Sequence, residues 1–215
     1  FLLVEEGRLR EEETYALLKS GKYPCRNPSQ NMADLTAQIA ANETGVRELR
    51  KMITHFGLDV VHAYMGHVQD NAEESVRRVL DVLANGEFTY PMDNGDQIKV
   101  KIIVNKEARE AVIDFTGTSP QGNHNYNAPS AVCKAAVLYV FRTLVDDEIP
   151  LNEGCLKPLK IKIPPKSIIS PEFPAAVIAG NTEVSQCLTD ALYGALGVLA
   201  SAQGTMNNFV YGNEI

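Results

Sequence analysis

Apolar residues recur through the first third of the chain at separations of three, four and seven. Leu35, Ile39, Val46, Leu49, Ile53 and Phe56 therefore share one face of a helix over about 34–56. Asn31 reads as its N-cap, with Asp34 three residues on in a weak capping-box arrangement. Gly57 closes this helix and Leu58-Asp59 open another that runs to about Leu83, striped by Val61, Met65, Val68, Ala72, Val76, Val79 and Leu83. So short a hinge predicts a hairpin or a sharply bent pair. Upstream, Glu11 to Leu18 predicts a short helix ended by Pro24 and Pro28.

After Asn85-Gly86 the period drops to two. Phe88 and Tyr90 lead into the turn Asp93-Asn-Gly-Asp96, and Ile98, Val100, Ile102 and Val104 then alternate with Gln97, Lys99 and Lys101. A further turn near Lys106-Glu-Ala108 precedes a strand over 110–115. The pattern predicts a three-stranded antiparallel meander, half exposed, with Asn94-Gly95 as a hairpin signal. A buried helix over 130–145 follows, then a short strand at Leu159, Ile161 and Ile163 closed by Pro164-Pro165. A last helix is expected from Glu183 to Ser201, with Val184, Leu188, Leu192 and Leu199 facing a core and Gly194 and Gly197 permitting close backbone packing. The fold class is α+β: a helical pair followed by an antiparallel meander with packed helices. Residues 1–85 form a helical region, and 86–215 an α/β region with Gly/Asn-rich loops.

Three polar stretches interrupt this apolar framework. Asp114 to Pro129 leaves a strand as a loop of small, hydroxyl and amide side chains and ends where a helix begins, a place where backbone N–H groups point outward. Ala179-Gly-Asn-Thr-Glu-Val-Ser-Gln186 repeats that layout, and Gln203-Gly-Thr-Met-Asn-Asn208 is a third amide-rich turn. Each is also explained as an ordinary surface turn or a helix cap; sequence leaves open whether they converge on one pocket. Asp114 can anchor the N–H groups of its loop or act as a base, and His124, set among asparagines, can act as a base or an orienting donor. His62 and His67 lie five apart, about 140° around a helix, which is wrong for a metal pair on one face.

The bulk numbers narrow the options. With 215 residues, 45% of them hydrophobic, the chain can bury a real core. Twenty basic against 27 acidic residues give a net charge of −7, with no basic stripe to suit a nucleic acid. No apolar run approaches the ~18 residues of a membrane span. Cys25, Cys133, Cys155 and Cys187 form no CxxC pair, which favours reduced thiols in a cytoplasmic protein and no structural metal. The glycine spacing matches neither phosphate-loop nor dinucleotide fingerprints, and Gly117-Thr-Ser119 lacks the nucleophile-elbow pattern. The start at Phe1-Leu-Leu-Val and the end at Gly212-Asn-Glu-Ile215 suggest a piece of a longer protein.

Asn27 to Asn42, Ile113 to Gln121, Asn127-Ala-Pro129, Tyr139 to Asp147, Ile149 to Cys155, Pro174 to Val177, Ala179-Gly-Asn181 and Gln203 to Asn207, in that order, resemble the hydantoinase B/5-oxoprolinase family along nearly the whole chain. The resemblance implies a division of labour. A hydantoinase A-type domain or subunit would bind ATP and magnesium and phosphorylate a lactam or amide oxygen. The hydantoinase B-type part would help water open the small cyclic amide, whether 5-oxoproline giving glutamate in glutathione metabolism or a hydantoin in an N-methylhydantoinase. A relative, acetone carboxylase, implies a divalent metal held by residues upstream of Phe1, an oligomeric assembly, and an isolated chain without activity. On this reading Thr116, Gly117, Ser119, Asn125, Asn127, Gly180, Asn181, Glu183, Thr205 and Asn207 are substrate-pocket residues. The competing reading makes the chain a structural or assembly module whose loops brace an interface.

Overall fold

The computed structural model describes residues 1–202 and Gly204, so Thr205 and Asn207 lie outside the described residues. The chain divides into two compact units, Phe1–Tyr64 and Met65–Ile215.

In the first unit, strands β1 (Val4–Glu5) and β2 (Arg8–Leu9) pair antiparallel around Glu6 and Gly7, both at positive φ. Helix α1 covers Glu11–Lys19 and α2 covers Pro28–Phe56. The N-cap of α2 is Asn27, not the expected Asn31: the Asn27 side chain accepts from the Gln30 amide at 3.2 Å and Pro28 takes the first helical position. There its missing N–H costs nothing, so the proline read as a terminator opens the next helix. Asp34 instead accepts from the Gln30 side chain at 2.9 Å. Gly57, at φ 87°, caps α2 before α3 (Leu58–Val82) starts. The face expected to be core is largely open: Val46 is 41% exposed, Leu49 40% and Phe56 56%.

Along α3 the stripe changes character. Met65 and Val68 are exposed, whereas Ala72, Val76, Val79 and Leu83 are buried. The second unit is built on a four-stranded sheet of β3 (Gly86–Pro91), β4 (Gln97–Asn105), β5 (Glu110–Asp114) and β6 (Leu159–Lys162), in that order. The first three form the expected antiparallel meander, and β6 adds a parallel strand at the β5 edge, with Ala111 opposite Leu159. A parallel neighbour needs a crossover, here residues 115–158, which carries the Asp114–Pro129 loop and helix α4 (Ser130–Thr143). Ile98, Val100 and Ile102 of β4 are fully buried on one face, as their alternation with lysines requires. Arg109 ties the β4–β5 turn to α3 through Glu74 and Asp81, both at 3.0 Å. Lys106 adds bonds to the carbonyls of Leu80 and Asp81.

Helix α5 spans Ser185–Leu196 and lies against β3 and β4. It stops earlier than the apolar spacing suggested. Gly197 adopts the left-handed conformation at φ 66° and caps the helix instead of lying inside it, and Leu199 beyond it is 60% exposed. Gly194 is the packing glycine: a Cβ there would lie 2.8 Å from Cγ of Phe88. Gly86 is tighter still, because its Cβ would run into the Ala195 carbonyl oxygen. Backbone cannot swing aside as a side chain can, so Gly86→Ala is expected to cost about 3 kcal/mol in denaturant unfolding.

Candidate functional site

Between the β3–β4 turn and the start of α5 lies a cavity of about 420 Å³, walled by Tyr90 to Asn94, Tyr126, Glu183, Gln186, Cys187, Ala202 and Gly204. Each of the three polar stretches thus contributes to or adjoins one cavity: Tyr126 from the first, Glu183 and Gln186 from the second, and Gly204 from the third. Backbone geometry brings the second stretch there. Residues Gly180–Val184 form a π-helical turn directly before α5, with the amides of Glu183 and Val184 both bonded to the Ala179 carbonyl. The extra residue in such a turn re-aims the side chains that follow it. Gly180 is buried because the chain crosses itself there; a Cβ would come 2.7 Å from Ala128 Cα.

The first loop is held from within by Asn127, which is fully buried. Its Nδ2 donates to the carbonyls of Gly122 (3.1 Å), His124 (2.7 Å) and Ala176 (2.9 Å), and its Oδ1 accepts from the Gly122 amide at 3.0 Å. The Asn125 carbonyl also accepts from the Ala179 amide at 3.1 Å, so the first two polar stretches are sewn together by hydrogen bonds. Both donors and the acceptor of the Asn127 amide are used in this way.

Asp114 makes the loop-anchoring bond: its Oδ1 accepts from the Thr116 amide at 2.9 Å, and Lys162 stands 3.4 Å from Oδ2. Those bonds from Thr116, and then Lys162, hold the carboxyl below its usual range, which suits an anchor and opposes a role as a base near neutrality. His124 is likewise engaged at both nitrogens. Nδ1 accepts from the Tyr126 amide at 3.1 Å, which leaves Nε2 to donate to Asp96 in the β3–β4 turn at 3.0 Å. Gly122 makes room for this ring, since any Cβ there would strike it. The Ser119 hydroxyl accepts from the Gln97 amide at 2.9 Å. Thr116, Gly117 and Asn125 are exposed beside the loop, and Gly117 turns at φ 99°. Asn181 is also exposed and lines a separate shallow groove between α4 and α5.

Periodicity hid the cavity's own polar groups. Tyr90 was read only as a strand residue, but burial, with Cys187, Asp190 and Asp93 adding to it, pushes its hydroxyl up to about 12. It stays protonated, and Cys187 beside it in the wall has a thiol that is itself pushed up by burial. Such a thiol is a poor nucleophile near neutrality. Asp190, buried in α5, accepts from the Ser201 hydroxyl (2.7 Å) and the Ala202 amide (3.2 Å), and so pins the third stretch's approach against the cavity. Asp190 lies about 200° around the helix from Leu188, opposite the face that periodicity assigns to the core, so no spacing signal marked it, and nothing in the sequence marked Tyr90. Asp93 and Glu183 are the ionisable carboxyls of the wall, and no lysine or arginine is among its described lining residues. Among the described residues, no group of three or more His, Cys, Asp or Glu is arranged to hold a metal.

Two outcomes follow from these bonds. Asn127→Ala strands one buried amide and three carbonyls, so unfolding stability is expected to fall by about 3 kcal/mol in a denaturant titration. Because the folded Asp114 carboxyl lies below its reference value of 3.8, its contribution is complete above that value and lost as pH falls through the lower folded one. The stability gap between the unmodified protein and Asp114→Asn is therefore expected to be constant near neutrality and to close below about pH 4 in acid-unfolding curves.

The described geometry has recognisable company. Residues 1–214 match the family model described as Hydantoinase B/oxoprolinase. The chain is 40% identical to a 5-oxoprolinase of Dictyostelium discoideum, with 99% of this chain aligned to 17% of that protein. It is 41% identical to the 5-oxoprolinase of Saccharomyces cerevisiae, with 98% of this chain aligned to 17% of the relative. It therefore spans under a fifth of the length of these relatives. Two solved structures share the fold. An ATP-dependent caprolactamase from Pseudomonas jessenii has a TM-score of 0.67 at 21% identity, over 90% of this chain and 34% of the other. A nucleotide-free acetone carboxylase has a TM-score of 0.68 at 12% identity, over 90% of this chain and 28% of the other. With a family match along almost its entire length and about 40% identity to 5-oxoprolinases, the chain belongs to the hydantoinase B/oxoprolinase family.

Proposed function

We propose that this chain contributes one wall of the substrate pocket in an ATP-dependent cyclic amide hydrolase, with 5-oxoproline, opened to glutamate, as the favoured substrate. The observation that carries this reading is the meeting of Tyr126, Glu183, Gln186 and Gly204 at one small cavity, in a chain about 40% identical to 5-oxoprolinases. A volume of about 420 Å³ suits a small ring. The Tyr90 hydroxyl and the Gln186 amide can donate to the lactam carbonyl oxygen, and the Glu183 or Asp93 carboxylate can accept from a lactam N–H.

The wall lacks what a complete reaction requires. Opening a lactam needs stabilisation of the developing oxyanion and a competent leaving group, and activation by ATP supplies these through phosphorylation of the lactam carbonyl oxygen. The described residues do not fit ATP or a divalent metal: the glycines form no phosphate loop and no ligand cluster is present among them. Nor does a cation stand among the wall's described residues to meet a substrate carboxylate. A hydantoinase A-type domain or subunit, with ATP and magnesium, and any metal-bearing segment upstream of Phe1 are therefore assigned to the rest of the enzyme. On this reading Thr116, Gly117, Ser119, Asn127 and Gly180 shape the loops. Asn125 and Asn181 are exposed polar groups of those loops, and Thr205 and Asn207 are retained as pocket candidates on sequence alone. Hydantoins of the N-methylhydantoinase type are the alternative substrates, and four free thiols fit a cytoplasmic setting.

A second reading, that the chain is an assembly module, draws on the inward commitment of the Asn127 and Ser119 side chains. Glu183→Gln and Gln186→Ala in the full-length enzyme separate the two. A pocket wall predicts at least about tenfold loss of kcat/KM for 5-oxoproline with unchanged assembly and unfolding midpoint. Unchanged kcat/KM in both variants would sink the pocket reading, and loss of assembly would favour the module.

A further inference from the structure

His124 bridges two walls of the cavity. Its Nδ1 accepts from the Tyr126 amide at 3.1 Å, and its Nε2 donates to Oδ2 of Asp96 at 3.0 Å. The same Asp96 oxygen accepts from Asn94 Nδ2 at 2.7 Å, while Asn94 Oδ1 accepts from the Asp96 amide at 3.1 Å. A relay of hydrogen bonds thus runs from Tyr126 through His124 and Asp96 to Asn94, and both of its end residues line the cavity. The imidazole has a built seat. Gly122 leaves the space that the ring occupies, and Asn127 holds the backbone there through Gly122 and the His124 carbonyl. Bonds between Ser119 and Gln97, at 2.9 and 3.0 Å, already tie this loop to the start of β4. The distinct effect of the His124 bridge therefore falls on the side chains at the cavity.

We propose, on the pocket reading given above, that His124 is a positioning residue whose bond to Asp96 sets the separation of the Tyr126 and Asn94 walls. Only the neutral ring with its proton on Nε2 makes both bonds, since Nδ1 must accept. With both nitrogens committed, His124 acts through Tyr126 and Asn94 and takes no proton from substrate or water. The bridge adds little to folding, because its side chains are 32% and 20% exposed and water can replace either partner. It does hold two wall residues that would otherwise move independently, and a wall fixed before binding spares the substrate that ordering cost. Walls that grip the ring without meeting the charge that develops during opening act on ground state and transition state alike. Their displacement raises KM and leaves kcat.

Four variants of the full-length enzyme test this, with 5-oxoproline as substrate. His124→Asn keeps an acceptor for the Tyr126 amide two residues on, as asparagine does in turns, but is too short to reach Asp96. Asp96→Ala removes the bridge from the other side, Asp96→Asn keeps an oxygen that accepts it, and the fourth variant joins His124→Asn to Asp96→Ala. His124→Asn and Asp96→Ala are each expected to raise KM at least about fivefold, with kcat within about twofold and the unfolding midpoint unchanged. The double variant is expected to match Asp96→Ala alone, because both changes remove one bridge. Asp96→Asn is expected to stay within about twofold of the unsubstituted KM, since an amide oxygen accepts the same bond. Unchanged KM in both single variants, effects that multiply in the double, loss confined to kcat, or a KM rise that tracks a lowered unfolding midpoint would each overturn the proposal. A loss in Asp96→Asn as large as in Asp96→Ala would also overturn it, in favour of a charge effect. If Gln186→Ala lowers kcat/KM while His124→Asn leaves KM unchanged, the pocket stands without the bridge; if neither variant changes any constant, both fail.

Discussion

The first polar loop of the β5–β6 crossover is closed from within by one buried amide. Asn127 has no exposure to solvent and bonds both to its own loop and to the Ala176 carbonyl, nearly fifty residues away. In a low-dielectric interior these bonds are strong when complete and expensive when broken. They let a loop rich in glycine and asparagine hold one shape, although such a composition alone would leave it conformationally free. The neighbouring crossing, where Gly180 passes against Ala128, depends on the same closeness of the two segments.

From that closure the cavity follows. Once the first loop and the segment before α5 are sewn together, the π-helical turn at Gly180–Val184 turns Glu183 and Gln186 toward the β3–β4 turn. The His124–Asp96 pair then fixes that turn against the loop, and Asp190 holds Ser201 and Ala202 nearby. Side chains that look like reagents in a sequence, Asp114 and His124, serve as fasteners. The groups facing open space are less conspicuous: a strand tyrosine, a helix glutamine and two carboxylates.

The two units also differ in what covers their apolar surface. In the second, α3 beyond Ala72, the sheet and α5 enclose a continuous core. In the first, the long helix α2 carries exposed apolar side chains such as Val46, Leu49 and Phe56. The chain spans under a fifth of its 5-oxoprolinase relatives.

Much of the fold was legible in the sequence because hydrophobic period is a local quantity. The two long helices, the meander with Ile98, Val100 and Ile102 inward, and the buried helix after Pro129 all follow from spacing. Boundaries were less legible where one residue type serves two purposes: Pro28 opens α2 instead of ending α1, and Gly197 caps α5 instead of packing within it. Three matters were decided only by tertiary structure. The parallel pairing of β6 with β5 depends on contacts forty-eight residues apart. The bonding of Asn127 separates a structural amide from a binding one, a distinction composition cannot carry. The cavity gathers Tyr90, Tyr126, Glu183 and Gly204 from four distant places. Periodicity records which side of its own element a residue takes; which residues from different elements come to face one another is set by how those elements close in space.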